Sequence, residues 1–119
     1  NLVSNVGVVA TDVSEVGTAR SALAACAYGG DKGIFGYGNY PVSNVTNLVS
    51  NTGVVATDTS GVGTARRQLA ACEYGYDKGI FGYGGETSLT NLVSEVGVVA
   101  TDTAGVGTGK QEVAACSFN

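Results

Sequence analysis

Histidine, tryptophan and methionine are absent from this 119-residue chain, and proline occurs once, at Pro41. Without histidine no Ser-His or Cys-His pair can form, so the usual machinery of nucleophilic catalysis has no base. Charge is sparse as well: 6 basic and 10 acidic residues leave a net charge of −4. Phosphate-backbone binding needs clustered Lys and Arg, and no such cluster is present, which argues against nucleic acid as a partner. No apolar run reaches the roughly 18 to 20 residues of a membrane-spanning helix, and the N-terminus lacks the basic segment and apolar stretch of a secretory signal. Cys26, Cys72 and Cys116 are odd in number and widely separated, which fits neither a disulfide framework nor a C-x-x-C zinc spacing. No Asp-x-Asp-x-Asp-Gly loop supports calcium. Neither a metal nor a cofactor is implied.

What the chain does contain is repetition. Asn1–Asp12 returns at Asn47–Asp58 and again at Asn91–Asp102, offsets of 46 and 44 residues. A period of roughly 20 to 50 residues marks an array in which one supersecondary unit is copied and each copy buries its apolar face against the next. The copies run 1–46, 47–90 and 91–119, a single repeat array whose last copy is truncated. The chain starts at Asn1 and its third copy stops before the segment that follows in the other two, which reads as a processed or partial product. A residue present in every copy is most simply explained by the architecture, since a catalytic group is normally needed once.

Division at glycines and polar clusters yields four short segments per copy. Arg67–Tyr74 reads as a first strand, and Gly75-Tyr76-Asp77 as a hairpin turn. Lys78–Gly84 is a second strand, Leu89–Ser94 a third and Val98–Thr103 a fourth. Alternation places Phe81 and Tyr83 on one face of the second strand, with Ile80, Gly82 and Gly84 on the other, where a neighbour can approach closely. Helix competes only at Leu-Ala-Ala-Cys, because alanine is a strong helix former. That segment is too short for a helix and is bounded by glycine and β-rich runs. The chain is expected to be all-β, built of four-stranded antiparallel meanders.

A four-stranded meander repeated every ~45 residues is the pattern of a β-propeller blade. The order Thr64-Ala-Arg66, Leu69-Ala-Ala71, turn, Ile80-Phe-Gly-Tyr-Gly-Gly85 resembles a degenerate kelch repeat, in which an Arg precedes the inner strand and an Ile-Tyr-Val-x-Gly-Gly strand follows. The same texture is similar to repeats of marine bacteriophage structural and tail-fibre-like proteins. This resemblance implies a virion or extracellular setting and a structural or binding role, with protein subunits as partners through self-assembly or contact with other virion proteins.

Residues 1 to 13 supply a third and a fourth strand, two complete units follow, and residues 110 to 118 supply one more inner strand. Closed propellers have about four to eight blades, so one copy of this chain cannot close. The repeats extend into a longer array, or several chains complete a ring, or the copies pack as a trefoil. The trefoil ranks last because the third copy lacks its Ile-Phe-Gly-Tyr-Gly strand. Unpaired edges template further pairing, so an isolated monomer is expected to be poorly behaved.

Asp12, Asp58 and Asp102 recur, as do Arg20, Arg66 and Lys110. A ring of acids binding a cation competes here with a structural role, in which the carboxylates accept backbone N–H bonds and pair with the repeat's Arg; the structural role is favoured. Glu15, Glu73, Glu86, Glu95 and Glu112 offer carboxylates for glycoside chemistry, but no spacing singles out a pair. The first two copies diverge at Ser21/Arg67, Ala22/Gln68, Ala27/Glu73 and Gly30/Tyr76. Arg67, Gln68, Glu73 and Tyr76, with Tyr40 in the longer linker, are the candidate recognition surface, since tyrosine and arginine stack on sugars and anchor protein interfaces. A surface glycan is the partner of the alternative reading, a multivalent lectin. A propeller enzyme acting on glycosides ranks below both, and the leading reading is non-catalytic. Asn44-Val-Thr46 matches a glycosylation sequon.

Overall fold

The structure is a computed structural model that describes residues 1–118, and these contain strands and turns but no helix. β1 (Ala24–Tyr28), β2 (Lys32–Gly38) and β3 (Ser43–Val49) form one antiparallel sheet in that order. β4 (Ala70–Tyr74), β5 (Lys78–Gly82) and β6 (Thr90–Val93) form a second of the same design. Register repeats with the sequence: Cys26 lies opposite Ile34, and Cys72 opposite Ile80. The turns after β1 and β4 place Gly29, Gly30, Gly75 and Tyr76 at positive φ, the backbone whose twist matches a tight hairpin.

The sheets have three strands, not the four expected. The segment after β6 folds back on it but makes only isolated bridges, Val93 to Val99 and Thr90 to Thr103. The cause is Asn91, whose buried amide reaches across and donates 3.0 Å to the Ala100 carbonyl, standing in for a ladder bond. The same arm follows β3, with Val49 bridged to Val55 and Thr46 to Thr59. In the first copy it is reduced to one bridge, Val3 to Val9. The first strand is also shorter than expected, because Gln68 adopts φ 56°, which an extended strand cannot continue through. Residues 110 to 118 do not form the expected inner strand. Their counterparts β1 and β4 are strands by pairing with β2 and β5, and among the described residues no strand pairs with 113–118.

Burial arises where the first sheet meets the second, with β1 against β4 and β5. Tyr28, Ile34, Tyr37, Leu69, Phe81 and Val93 are the buried apolar core. Phe81 lies over Gly36, where an added Cβ would stand 2.7 Å from its ring. It also meets Tyr37 edge-on, with centroids 5.2 Å apart. Tyr37 is therefore on the opposite face from Phe35, contrary to simple alternation. Its φ of 62° and the register shift between Gly36 and Gly38 turn its ring toward the next copy. Tyr83 repeats that backbone, also at φ 62°. Phe35, the counterpart of Phe81, is 39% exposed.

Backbone bonds continue the stack at regular positions. Gly38 N–H donates to the Arg66 carbonyl, and Gly84 N–H to that of Lys110. Gln68 N–H donates to Ala22, and Glu112 N–H to Gln68. Residues 110–112 of the third copy thus dock on the second copy as residues 66–68 of the second dock on the first.

Gly36→Ala is expected to lower the unfolding free energy by about 1 to 3 kcal/mol, since the Phe81 ring above it has no room to withdraw in a filled core. Chemical denaturation of the variant, compared with the parent chain, checks this.

Candidate functional site

The recurring polar residues form a lacing that closes each sheet with its own arm. In the second unit Arg66 is buried, and its Nε donates 2.7 Å to the Tyr83 carbonyl. Its Nη2 donates 2.6 Å to Asn91 Oδ1 and its Nη1 3.2 Å to the Thr64 carbonyl. Asn91 Nδ2 passes the connection on to Asp102 Oδ1 at 2.9 Å. Asp102 completes the circuit by accepting from the Thr64 backbone N–H, at 3.0 Å, and from Thr64 Oγ1, at 2.7 Å. The guanidinium stands 3.9 Å from Asp102 and 4.4 Å above the Tyr37 ring of the preceding unit. Arg20, Asn47, Asp58 and Thr18 repeat the circuit in the first unit, with the Thr18 hydroxyl 2.6 Å from Asp58 Oδ2.

These placements give Asp58 and Asp102 the role of holding backbone and hydroxyl donors. Thr18 and Asn47 hold the Asp58 carboxyl below its ordinary range. At Asp102 burial pushes upward, but the Thr64 and Asn91 bonds, with the Arg66 charge behind them, prevail and leave it lowered. Asp12 carries only the first half of the motif, accepting from Asn1 Nδ2 at 2.7 Å. Lys110, in the Arg position of the third copy, is exposed. Among the described residues no group of three or more His, Cys, Asp or Glu side chains is arranged to hold a metal. Nor is any helix there long and apolar enough to cross a membrane.

Asn47, Asn91, Thr18, Thr64, Tyr37 and Tyr83 are essential members of the lacing or the stacked face that residue chemistry alone did not single out. Their signal was recurrence at matched positions. Tyr37 and Tyr83 each donate a phenolic O–H to a carbonyl of the following linker, Val62 or Val106, at 3.2 Å.

The copy-specific residues are distributed over two rims. Arg67 and Gln68 precede β4, whereas Tyr76 lies in the turn after it, so the five residues of β4 separate them. Arg67 lines a cleft of about 410 Å³ with Val42, Glu86 and Gln111. Tyr40, followed by a cis bond to Pro41, belongs to the β2–β3 turn on that same side, where Ser21 bridges Asn39. Gln68 Nε2 donates 2.7 Å to Glu112 Oε1, continuing the column of contacts between copies. Glu73 lies within β4 and is half-buried. Tyr40 and Tyr76 are 80% and 73% exposed, and both hold positive φ. A non-glycine residue in that region carries a backbone penalty, and the first copy has Gly30 at the position of Tyr76.

Asn44 of the sequon is half-buried and donates 2.6 Å to the Gly63 carbonyl, so its amide is already engaged. Cys26 lies against Gly79 of the next sheet, and burial pushes its thiol up to about 11. Cys72 is raised for the same reason, whereas Cys116 is exposed. No protein-family model matches the chain, and no curated protein matches it.

Two outcomes follow from these environments. Because the Asp58 and Asp102 carboxyls titrate lower in the folded chain than their ordinary 3.8, they add stability that is fully present above that value and lost as pH falls from there through the lower folded-state value. Unfolding free energy should therefore hold steady from neutral pH to about pH 5 and decline below, with a shallower decline in Asp58→Asn/Asp102→Asn. Separately, a thiol reagent near pH 8 should modify Cys116 first and Cys26 last, because the thiolate is the reacting form. Peptide mapping of the time course reads that order.

Proposed function

We propose that this chain is a non-catalytic structural and binding protein, a stacked repeat scaffold displayed on a virion or other extracellular surface for assembly or host attachment. One observation carries this reading. The Thr, Arg, Asn and Asp side chains of the lacing, common to the complete units, are spent on holding each sheet to its arm, while the copy-specific residues include exposed side chains held at positive φ, Tyr40 and Tyr76. A scaffold whose shared chemistry is internal has its variable rims left for recognition.

In this reading the two sheets are blades of a kelch-like propeller array, with the Asn-laced arms as their outer edges. Their face-to-face packing through small residues, Gly36 and Gly79, supports it. Partners are then protein subunits of the same assembly. The exposed tyrosines support a second reading, a lectin that holds surface glycans by stacking an aromatic ring on each sugar.

Arg67→Ala and Tyr76→Ala are expected to weaken attachment of the chain to its host surface by about tenfold or more, as anchor truncation does at an interface. Binding to intact cells and to an immobilised glycan panel measures this, and unchanged binding of both variants to both targets would eliminate the recognition surface. Tyr76→Gly should raise stability by about 1 kcal/mol by relieving the positive φ. That gain together with a loss of binding would show a residue kept for display.

A further inference from the structure

The cleft beside the entry to β4 is assembled from positions at which the copies differ. Arg67 stands where the first copy has Ser21 and the third has Gln111, and Glu86 stands where the first has Tyr40. Val42 comes from the segment 39–46, two residues longer than its counterpart 85–90. These residues, with Ala65 and Thr87, line about 410 Å³, within the roughly 300 to 1,000 Å³ of small-ligand sites. Val42 of the first copy and Gln111 of the third both line it, so the neighbours before and after the second unit each contribute a wall. Arg66 spends all three of its nitrogens on the lacing. Arg67 is exposed, and among the described residues its guanidinium makes no hydrogen bond or ion pair. Its backbone is nonetheless fixed, because its carbonyl accepts from Gly85 N–H at 2.9 Å. Across the same cleft Glu86 Oε1 lies 3.5 Å from Gln111 Nε2. The cleft therefore offers an unpaired guanidinium, a carboxylate beside an amide, and an apolar wall of Val42 and Ala65.

We infer that this cleft binds a pyranose that carries a carboxylate, with the ligand's carboxylate on the Arg67 fork and its ring hydroxyls donating to Glu86. The inference rests on the glycan reading of the proposed function and names the class of sugar. A guanidinium presents parallel N–H donors that match the two oxygens of a carboxylate. An ionised Glu86 only accepts, so it takes hydroxyl donors and repels a second anionic group. Gln111 serves either as donor or as acceptor, and the C–H face of the ring packs on Val42 and Ala65. A neutral sugar would leave Arg67 without its partner, and a densely sulfated one would press an anion against Glu86. A carboxylate and several hydroxyls on one ring satisfy both ends. A zwitterionic amino acid carries matching charges, but it fills a small part of the cleft and leaves the apolar wall uncovered.

The test titrates the full chain calorimetrically with a galacturonate trisaccharide and with sialyllactose, which distinguish a hexuronate carboxylate from one on the anomeric carbon. Saturable binding of at least one is expected, weakened about tenfold or more when that ligand's carboxyls are reduced to alcohols. Arg67→Ala should weaken it to a similar degree, and Arg67→Lys should restore only part, because an ammonium lacks the fork. Glu86→Gln should keep affinity within a few fold, since an amide oxygen also accepts from hydroxyls. The Arg67 side chain is unpaired, so Arg67→Ala should unfold at the same denaturant concentration as the parent, which separates loss of the site from loss of the fold. Failure of both acidic sugars to bind, equal binding of the reduced ligand, or unchanged affinity in Arg67→Ala would each overturn the inference. So would tighter binding of free glycine that Glu86→Gln abolishes, which would assign the cleft to an amino acid. If Arg67→Ala loses attachment to cells while neither acidic sugar binds, this inference falls and the recognition surface stands.

Discussion

The buried guanidinium of Arg66 is the constraint on which the rest of the second unit depends. A charge taken out of water carries a large desolvation penalty unless its donors are matched, and removing one partner of a buried pair typically costs about 3 to 5 kcal/mol. Arg66 meets that demand with the Tyr83 carbonyl, Asn91 Oδ1, the Thr64 carbonyl, the nearby Asp102 carboxylate and the face of Tyr37. Each partner within the unit comes from a different part of it: the positive-φ residue after β5, the strand β6, the entry segment and the returning arm. Satisfying one side chain therefore positions all of them. The ring beneath it belongs to the preceding unit, so the same residue also ties the two sheets together.

This economy explains why the fold needs so few charges and so little aromatic bulk. Glycine at 36 and 79 brings backbones close enough for Phe81 and Cys26 to fill the space between sheets. Positive φ at Tyr37 delivers an aromatic ring to the interface that regular alternation would have sent the other way. The stack is directional as a result. Phenylalanine projects from one face, and a glycine-floored groove opens on the other. At the interface between the sheets the two features meet.

Much of this was legible in the sequence, and the reasons for the remainder are specific. The Lys32–Gly38 and Lys78–Gly82 strands were apparent because β-branched and aromatic residues sat between glycines and turn residues, a local signal. The turn at Gly75-Tyr76-Asp77 was equally local. Val98–Thr103 carried the same local signal yet is no strand, because the Asn91 amide intervenes from across the sheet. The inner strand of the third copy failed for a related reason: Val113-Ala-Ala-Cys116 matches β4 in composition, but extended structure needs a partner. Arg66 and Asp102 were identified as structural by recurrence, whereas their links through Asn91 and Thr64 join residues 25 to 38 positions apart.

The sequence by itself determined the repeat, its period, the all-β character and which residues every copy shares, because these follow from recurrence, turn chemistry and side-chain type within a few neighbours. Only the tertiary structure decided that each sheet has three strands and a laced arm, that Tyr37 turns away from Phe35, and that Arg67 and Tyr76 belong to opposite ends of β4. Those outcomes turn on which distant groups satisfy a buried donor and on how closely two backbones approach, and neither quantity exists until the chain has folded.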